Sequence, residues 1–456
     1  MKTTKDTNKA TRINLFSFAA PHMRTFHLSW ISFFLCFFGW FGVAPLMAVI
    51  REELSLTQSQ IGNTIIASVA ITVIARIFIG RFCDKYGPRL TYTVLLIFGS
   101  IPVIGVGLSN SYETFLLFRL AIGIIGASFV ITQYHTSVMF ADNVVGTANA
   151  TSAGWGNMGG GATQMIMPMI FAGFVFLGFE DTSAWRWAMV VPGVLMIVLG
   201  ILYYNFTTDT PKGNFSELEV DSVAELEGDD AEQEGEPSML DVMKDYRVWS
   251  LFAIYGASFG IELTINNIAA IYYYDYFSLD LETAGLIAGL FGLMNLFARP
   301  LGGYLGDKFG IEFGLKGRVR FLFVMLFLEG LALMLFSSMT VLTLAIGTMI
   351  VFSLCVQMAE GATYSVVPFV NRKAVGAVSG IVGAGGNAGA VMAGFLFKYE
   401  SITYPEALFV LGVVVSITSL LAFTVRFSFG DEKEALYELE EAISEPVLQT
   451  EPALAD

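Results

Sequence analysis

Hydrophobic residues along the chain gather into twelve long segments separated by short polar stretches. We place these segments near residues 28–50, 60–82, 91–109, 114–141, 147–178, 186–206, 247–277, 284–305, 319–338, 341–366, 375–398 and 404–428. An apolar run of about 17 residues or more can cross the hydrocarbon core of a bilayer as an α-helix. Several segments exceed the roughly 20 residues that one crossing requires, so we expect tilted or extended helices. The pattern predicts an all-α membrane protein with twelve transmembrane helices.

The longest polar stretch divides the twelve segments six and six. It contains Pro211 and Pro237 and is crowded with acidic residues. Such a composition is typical of a hydrated linker, and we interpret it as a tether rather than as a phosphorylation or partner surface. The predicted organisation is an amino-terminal segment 1–27, an N-terminal six-helix half 28–206, the linker 207–246, a C-terminal six-helix half 247–428 and an acidic tail 429–456.

Lysine and arginine are distributed unevenly between the two sets of connecting loops. With the amino terminus inside, the inner set holds most of them, from Lys2 to Lys433, and the outer set holds Arg51, Arg186 and Lys398. Loops rich in lysine and arginine stay on the cytoplasmic side of a membrane. We therefore predict a multi-pass protein of the cell (plasma) membrane with both termini in the cytoplasm.

Composition excludes several classes of protein. The chain has 456 residues, of which 55% are hydrophobic and only 14% are charged, which is unlike an ordinary soluble protein. The net charge of −15 lies mostly in the linker and the tail, and there is no basic footprint for a nucleic acid. Cys36, Cys83 and Cys355 form neither a disulfide framework nor a metal spacing. Without a nucleophile pair, a nucleotide-binding loop or a metal cluster, we expect no enzyme activity, no cofactor and no bound metal.

Two arginines lie deep within apolar segments, and they are related by an internal repeat. Arg76 falls in residues 75–87 (ARIFIGRFCDKYG), about two-thirds of the way through the second span. The same pattern returns around Arg299 in residues 298–310 (ARPLGGYLGDKFG) of the eighth span. A guanidinium at such depth costs about 2.5–3.5 kcal/mol on insertion scales, so it must face a cavity, a partner or a ligand rather than lipid.

A second repeat relates the fifth and eleventh spans. Residues 154–161 read GWGNMGGG and residues 383–390 read GAGGNAGA, so each run combines a GxxxG pattern with a single asparagine. The second and fifth spans therefore correspond to the eighth and eleventh. This correspondence predicts two pseudo-symmetric six-helix halves about an axis normal to the membrane.

These motifs resemble those of the major facilitator superfamily. Residues 80–89 and 303–310 are similar to its loop motif between spans two and three and to the echo between spans eight and nine. The glycine-rich asparagine runs resemble the signatures of the nitrate/nitrite porter family, and residues 16–30 (FSFAAPHMRTFHLSW) resemble its high-affinity nitrate transporter branch. The resemblance covers nearly all of residues 14–428 and implies the major facilitator fold and nitrate transport, with nitrite as a further substrate.

The resemblance also implies the site residues. The substrate arginines of the family fall on Arg76 and Arg299, and its signature asparagine falls on Asn157, with Asn387 as the echo. An aromatic residue that flanks the anion matches Phe129, and two on the seventh span match Tyr255 and Phe259. We include three glycines of the two asparagine runs as places where an anion approaches a helix closely: Gly156, Gly160 and Gly386.

The chemistry of nitrate suits two opposed arginines. Nitrate is planar and monovalent, and a guanidinium is planar, permanently charged and able to donate two parallel hydrogen bonds. The alternative is that each arginine is part of a structural ion pair, although neither span contains an acid beside it and the nearest acids are Asp84 and Asp307. For the asparagines and glycines the alternative is helix–helix packing, and for the aromatic residues it is an ordinary core position.

The short loops that contain the superfamily motif have a different expected role. Their acidic and basic residues can pair across helix ends in one conformation and separate in the other, so we interpret them as gates of alternating access. These residues are Asp84, Lys85, Arg89, Asp307 and Lys308.

Uptake of an anion needs a second solute. A membrane potential of about 100 mV, negative inside, opposes the entry of one negative charge by about 2.3 kcal/mol. Either protons enter with the anion or nitrite leaves in exchange. Candidate proton carriers within the spans are His135, Glu262, Glu329 and Glu360, and we favour Glu262 because it lies two turns from Tyr255 on about the same face of the helix.

The resemblance to the high-affinity branch favours proton symport over exchange. The alternatives are a nitrate/nitrite exchanger, a transporter of another small anion, and a nitrate sensor that signals through its acidic linker. The expected partners are nitrate or nitrite, protons and the lipid bilayer. Some relatives in the branch require an accessory subunit, and this chain does not indicate one.

Overall fold

The computed structural model describes residues 9–140, 142–215, 239–371, 374–399 and 401–433. Their regular structure is helical, with isolated bridges between Ala10 and Phe140 and between Thr210 and Gly213. Most of the predicted acidic linker and tail, residues 216–238 and 434–456, lies outside the described residues.

Among the described residues, eleven helical segments are long and apolar enough to cross a membrane. We number the transmembrane helices α1 Pro21–Glu53, α2 Gln58–Tyr86, α3 Pro88–Leu108, α4 Tyr112–Met139, α5 Asp142–Phe176, α6 Asp181–Phe206, α7 Tyr246–Phe277, α8 281–313, α9 315–337, α10 Leu342–Phe369, α11 Val375–Leu396 and α12 Tyr404–Thr424. A short helix, Met239–Lys244, precedes α7. The all-helical prediction is confirmed, and the predicted segments coincide with these helices within several residues.

The difference between eleven segments and twelve predicted spans lies in one continuous segment, Leu281–Ser337. It is 57 residues long, and Gly314 interrupts it with φ 69° and ψ −166°. That conformation is in the left-handed region that only glycine adopts readily. The chain reverses direction at Gly314. The reversal is seen in the rings of Phe309 and Phe321, one on each side of it, which stack with centroids 5.1 Å apart. The segment is therefore two antiparallel helices, α8 and α9, which fill the places of two predicted spans.

The bundle has two faces that are distinguished by the ends of the chain. The amino-terminal segment, the start of α7 and residue 433 lie at one end, which we call the termini face, and the opposite end is the far face. Three helices that start at the far face begin with capping boxes, in which Thr57, Ser111 and Thr403 bond to the third helical residue. Each box satisfies backbone donors that the first turn leaves without partners, which fixes where these helices start.

The two six-helix halves meet closely towards the far face. Gln164 of α5 donates its amide to the carbonyl of Asn266 in α7 at 2.5 Å. A Cβ on Gly161 of α5 would stand 2.7 Å from the backbone of Gly292 in α8, so only glycine lets these helices approach so closely. The contacts between halves thus seal the far face above the centre of the bundle.

An ion pair also links the halves at this face. Arg51, at the end of α1, donates two hydrogen bonds of 2.6 and 2.8 Å to the carboxylate of Asp275, at the end of α7. Both side chains are 27% exposed. A bidentate pair of this kind holds one relative orientation of the two halves.

We predict that neutralising this pair opens the far face. Arg51→Ala should shift the distance distribution between spin labels at Thr182 and Ser401 towards longer values, because the closed arrangement loses about 1 kcal/mol. The measurement is double electron–electron resonance on the full chain in lipid nanodiscs. The charge-swapped double variant Arg51→Asp with Asp275→Arg should restore the original distribution. An unchanged distribution in Arg51→Ala would show that the pair has no part in closing this face.

Candidate functional site

A small cavity lies between the two halves near the centre of the bundle. Its free volume is about 10 Å³, room for about one water molecule in this conformation, and it is lined by eight residues: Arg76, Phe129, Asn157, Tyr255, Phe259, Arg299, Tyr364 and Gly383. Six of these were predicted from the sequence, and helices α2, α4, α5, α7, α8, α10 and α11 supply the eight together. Both repeated arginines therefore face one shared chamber.

Arg76 reaches the cavity from α2 of the first half. Its Nη1 donates to the carbonyl of Gly383 in α11 at 3.1 Å, and its guanidinium lies over the ring of Phe129 with Cζ 5.5 Å from the centroid. Its Nε is buried without a hydrogen-bond partner. Within the described part of the chain, Arg76 makes no ion pair to a carboxylate. Its positive charge is therefore stabilised only by a carbonyl dipole and an aromatic face.

Arg299 reaches the cavity from α8 of the second half, and its surroundings differ. Its Nη1 lies 2.9 Å from Oε2 of Glu360 in α10, and its Nη2 donates to the Tyr255 hydroxyl at 2.6 Å. The alternative that the sequence left open, a structural ion pair, is thus present at Arg299. It went unseen because the acid comes from another helix. The repeated arginines are related in sequence but differ in charge balance.

Aromatic rings line the cavity beside the arginines. Tyr255 and Phe259 stack with centroids 5.2 Å apart, and Tyr364 meets Tyr255 edge-on at the same distance. The guanidinium of Arg299 lies over Phe259, with Cζ 5.6 Å from the ring centroid. Tyr364 was missed by the sequence interpretation. Its only signal is its position four residues after Glu360, which places both on one face of α10.

The two signature asparagines have different positions. Asn157 lines the cavity, and both atoms of its buried amide lack a hydrogen-bond partner. Asn387 is also buried with an unpartnered amide, but it does not line the cavity. Of the two, Asn157 is the one placed to bond a ligand.

The predicted glycines are packing positions in this conformation. A Cβ on Gly156 would overlap the ring of Phe33 in α1, and one on Gly386 would overlap Phe259. Gly160 faces Asn266, whose Nδ2 would lie 3.2 Å from an added Cβ. None of these three glycines lines the cavity, although Gly383, from the same run as Gly386, does.

Three buried glutamates lie in the second half behind Arg299. Glu262 of α7 accepts a hydrogen bond of 2.7 Å from Asn295, and its other carboxyl oxygen is buried without a hydrogen-bond partner. Glu329 of α9 is fully buried, and neither of its carboxyl oxygens has a hydrogen-bond partner. An unpaired carboxylate in such surroundings is unfavourable.

His135, the fourth predicted proton carrier, is away from the cavity. Its Nδ1 lies 2.6 Å from the Tyr203 hydroxyl and its Nε2 lies 2.7 Å from the carbonyl of Thr208. A carbonyl only accepts, so Nε2 carries a proton and Nδ1 accepts from the hydroxyl in a neutral ring. This arrangement makes His135 a link between α4 and α6.

The predicted gating residues lie at the termini face. Asp307 pairs with Arg318 across the α8–α9 reversal, and Arg318 also donates to the carbonyl of Ser365 at 3.2 Å. Arg89 donates to the carbonyl of Tyr204 at 2.7 Å. The remaining three, Asp84, Lys85 and Lys308, are exposed at this face.

Comparisons with known proteins agree on one family. A family model described as the Major Facilitator Superfamily matches residues 29–393 and 248–449. The chain is 42% identical over 421 residues to "High affinity nitrate transporter 2.5" of Arabidopsis thaliana, covering 92% of this chain and 83% of that protein. It is 28% identical over 469 residues to "Nitrate/nitrite transporter NrtP" of Nostoc punctiforme, covering 89% of this chain and 92% of that protein.

The fold is also similar to that of solved transporters. The crystal structure of a bacterial homologue of the human lysosomal transporter Spinster matches with a TM-score of 0.69. The sequences are 16% identical, and the match covers 90% of this chain and 98% of the other.

We predict that the packing role of Gly156 shows in stability. Gly156→Ala should lower the thermal unfolding midpoint by several degrees, because the added methyl group overpacks against Phe33 at a cost of about 1–3 kcal/mol. Gly173→Ala in the same helix is the matched control, since an added Cβ there meets nothing within 4 Å. The measurement is a melt of the purified chain in detergent. Equal midpoints for the two variants would contradict the packing role.

Proposed function

Because this chain belongs to the Major Facilitator Superfamily, and within it to the family of nitrate transporters, we propose that it carries nitrate together with protons across the cell (plasma) membrane by alternating access. Nitrite is proposed as a second substrate, since one relative is named a nitrate/nitrite transporter. The lysine and arginine distribution supports cytoplasmic termini.

The observation that carries this proposal is the uncompensated guanidinium of Arg76 in the cavity between the two halves. A cation in a low-dielectric cavity without a carboxylate partner attracts an anion strongly. Arg299 faces the same cavity, and two planar guanidinium groups can donate paired hydrogen bonds to a planar anion. The unpartnered amide of Asn157 supplies a further donor. Aromatic faces on both sides suit a flat monoanion better than a tetrahedral dianion.

The pairing of Arg299 with Glu360 supports the proposal of proton coupling. Nitrate and the ionised Glu360 carboxylate compete for the same guanidinium, which is 2.9 Å from the carboxylate in this structure. When Glu360 is protonated, Arg299 is released to bind nitrate. By linkage, nitrate binding then raises the affinity of Glu360 for its proton by the same factor. Proton and anion thus bind together and travel together.

Glu262 extends this site by a second carboxyl group. It is fully buried and accepts a hydrogen bond from Asn295, and we propose it as the second group for proton passage. A potential of about 100 mV alone would deplete nitrate inside roughly fiftyfold. Symport with one proton is electroneutral, so the potential can drive uptake only when more than one proton enters with each nitrate. Symport with two protons brings in a net positive charge, and the potential then favours uptake. Glu329, buried behind the pair, is a third group for proton passage.

Exchange of nitrate for nitrite is the alternative, and the charge of Arg76 favours it. An empty chamber with an uncompensated cation is slow to reorient, which suits a carrier that always moves loaded. The buried carboxyl cluster favours symport instead, because an exchanger of monoanions has no need for proton-binding groups. The remaining alternative, a sensor, depends on the linker, most of which lies outside the described residues. For the gates, the pairing of Asp307 with Arg318 supports a role in holding the termini-face loops.

The experiment that tests this function is isotopic nitrate flux into proteoliposomes at clamped voltage. We expect nitrate to accumulate when an inward proton gradient is imposed, with or without internal nitrite. Dependence of flux on internal nitrite, with no response to the proton gradient, would replace symport by exchange. Absence of any nitrate flux would contradict nitrate transport itself.

We predict that Glu360→Gln separates accumulation from exchange. The amide holds no transported proton, so proton-driven accumulation of nitrate should fall at least tenfold while nitrate–nitrate counterflow continues. Glu262→Gln should have the same direction of effect. Glu312→Gln, at an exposed glutamate of α8, is the control and should accumulate nitrate normally. Unchanged accumulation in both Glu360→Gln and Glu262→Gln would remove this cluster from coupling.

A further inference from the structure

A third buried arginine lies outside the central cavity. Arg119 of α4 is 1% exposed. Its Nη1 donates to the carbonyl of Trp40 at 3.2 Å, its Nη2 donates to Oδ1 of Asn267 at 2.8 Å, and its Nε has no partner. All of its acceptors are neutral, and in the described part of the chain no carboxylate forms an ion pair with it. Arg119 therefore carries an uncompensated charge that the transport site already described does not use.

The position of Arg119 is between the central cavity and the far face. Asn267 follows the cavity residue Phe259 by eight residues of α7, which corresponds to about 12 Å along the helix axis. Arg119 itself follows the start of α4 at Tyr112 by seven residues, about 10 Å below the far face. Arg119 thus lies on the far-face side of the cavity and about two turns below the far-face end of α4.

Unpartnered polar groups occupy the interval between Arg119 and the cavity. Asn266, beside Asn267, is 1% exposed, and neither atom of its side-chain amide has a hydrogen-bond partner. Its amide packs against Gly160 of α5, one turn beyond the cavity residue Asn157. Buried amides without partners are costly unless another state of the protein supplies a partner.

We propose that Arg119, with Asn266 and Asn267, forms a second binding site for nitrate in the conformation open to the far face. This inference rests on the proposed function. Arg119 belongs to the first half and Asn267 to the second, so separation of the halves at the far face breaks their hydrogen bond. The released guanidinium then lines the opened vestibule and binds an entering anion before it reaches Arg76 and Arg299. In the present closed state, the amide oxygen of Asn267 takes the place of that anion.

A purely structural latch between α4 and α7 makes a different prediction. A latch depends on the strength of the Arg119–Asn267 bond, so Asn267→Asp strengthens it and lowers the maximal rate in both directions. An anion site depends on the free charge of Arg119, so the same substitution neutralises that charge and weakens binding from the far side alone. One substitution therefore separates the two roles.

The test is the sidedness of nitrate KM in oriented proteoliposomes that contain the full chain. For Arg119→Gln and Asn267→Asp we expect the KM for nitrate entering from the far face to rise about tenfold. The KM for nitrate leaving from the termini face should stay within twofold. Arg119→Lys, which keeps the charge, should raise the first KM by less than threefold. Arg186→Gln, at a far-face arginine paired with Glu53, controls for surface potential and should leave both values within twofold.

Several results would overturn this inference. They are an equal change of KM on both sides, a loss of maximal rate with both KM values unchanged, and a wild-type KM in Arg119→Gln. If Arg119→Gln does not fold, the Asn267→Asp and Arg119→Lys pair decides the matter alone. Failure of the proposed function is distinct, because the wild-type chain would then show no nitrate flux from either side.

Discussion

The charge of an arginine inside a membrane has to be balanced, and the two repeated arginines are balanced in different ways. Arg299 has the Glu360 carboxylate at 2.9 Å, whereas Arg76 has only a carbonyl and an aromatic ring. This asymmetry gives the site two properties at once. In the proposed mechanism, the unbalanced arginine binds the anion, and the balanced one exchanges its carboxylate for that anion when Glu360 is protonated. A cavity with two unpaired arginines would bind anions without any coupling to protons. A cavity with two ion pairs would bind neither an anion nor a proton.

The rest of the bundle keeps these charges at the interface between two movable halves. Glycine contacts such as Gly161 against Gly292 bring the helices close enough to exclude water above the cavity. Breakable polar contacts, from Arg51–Asp275 at the surface to Arg119–Asn267 below it, close the far face. Because these contacts pair one half with the other, opening of that face in the proposed transport cycle would expose polar groups. Those groups would stabilise an entering anion.

Much of this arrangement was predictable from local pattern. Hydrophobic segment length predicted the helices within several residues, and the internal repeat related the two deep arginines, Arg76 and Arg299. Family resemblance assigned both to the substrate site and added Asn157, Phe129, Tyr255 and Phe259. The ion pair of Arg299 with Glu360, the part of Tyr364 in the cavity and the isolation of Arg119 were not predictable, because each depends on which faces of distant helices meet. Gly156, Gly160 and Gly386 were expected near the anion and instead pack helices, since glycine in a membrane helix serves both purposes. Sequence pattern therefore locates charges, and only the packed structure shows which of them are balanced.

The central claim is that nitrate and a proton bind together, because Glu360 no longer pairs with Arg299 once it is protonated and Arg299 then binds the anion. The most direct measurement is the change in pH when nitrate is added to the purified protein in weakly buffered solution. The account predicts that protons are taken up as nitrate binds, in proportion to occupancy, and that Glu360→Gln largely abolishes this uptake while it still binds nitrate. Nitrate binding without proton uptake in the wild-type protein, or uptake of the same size in Glu360→Gln, would contradict the account.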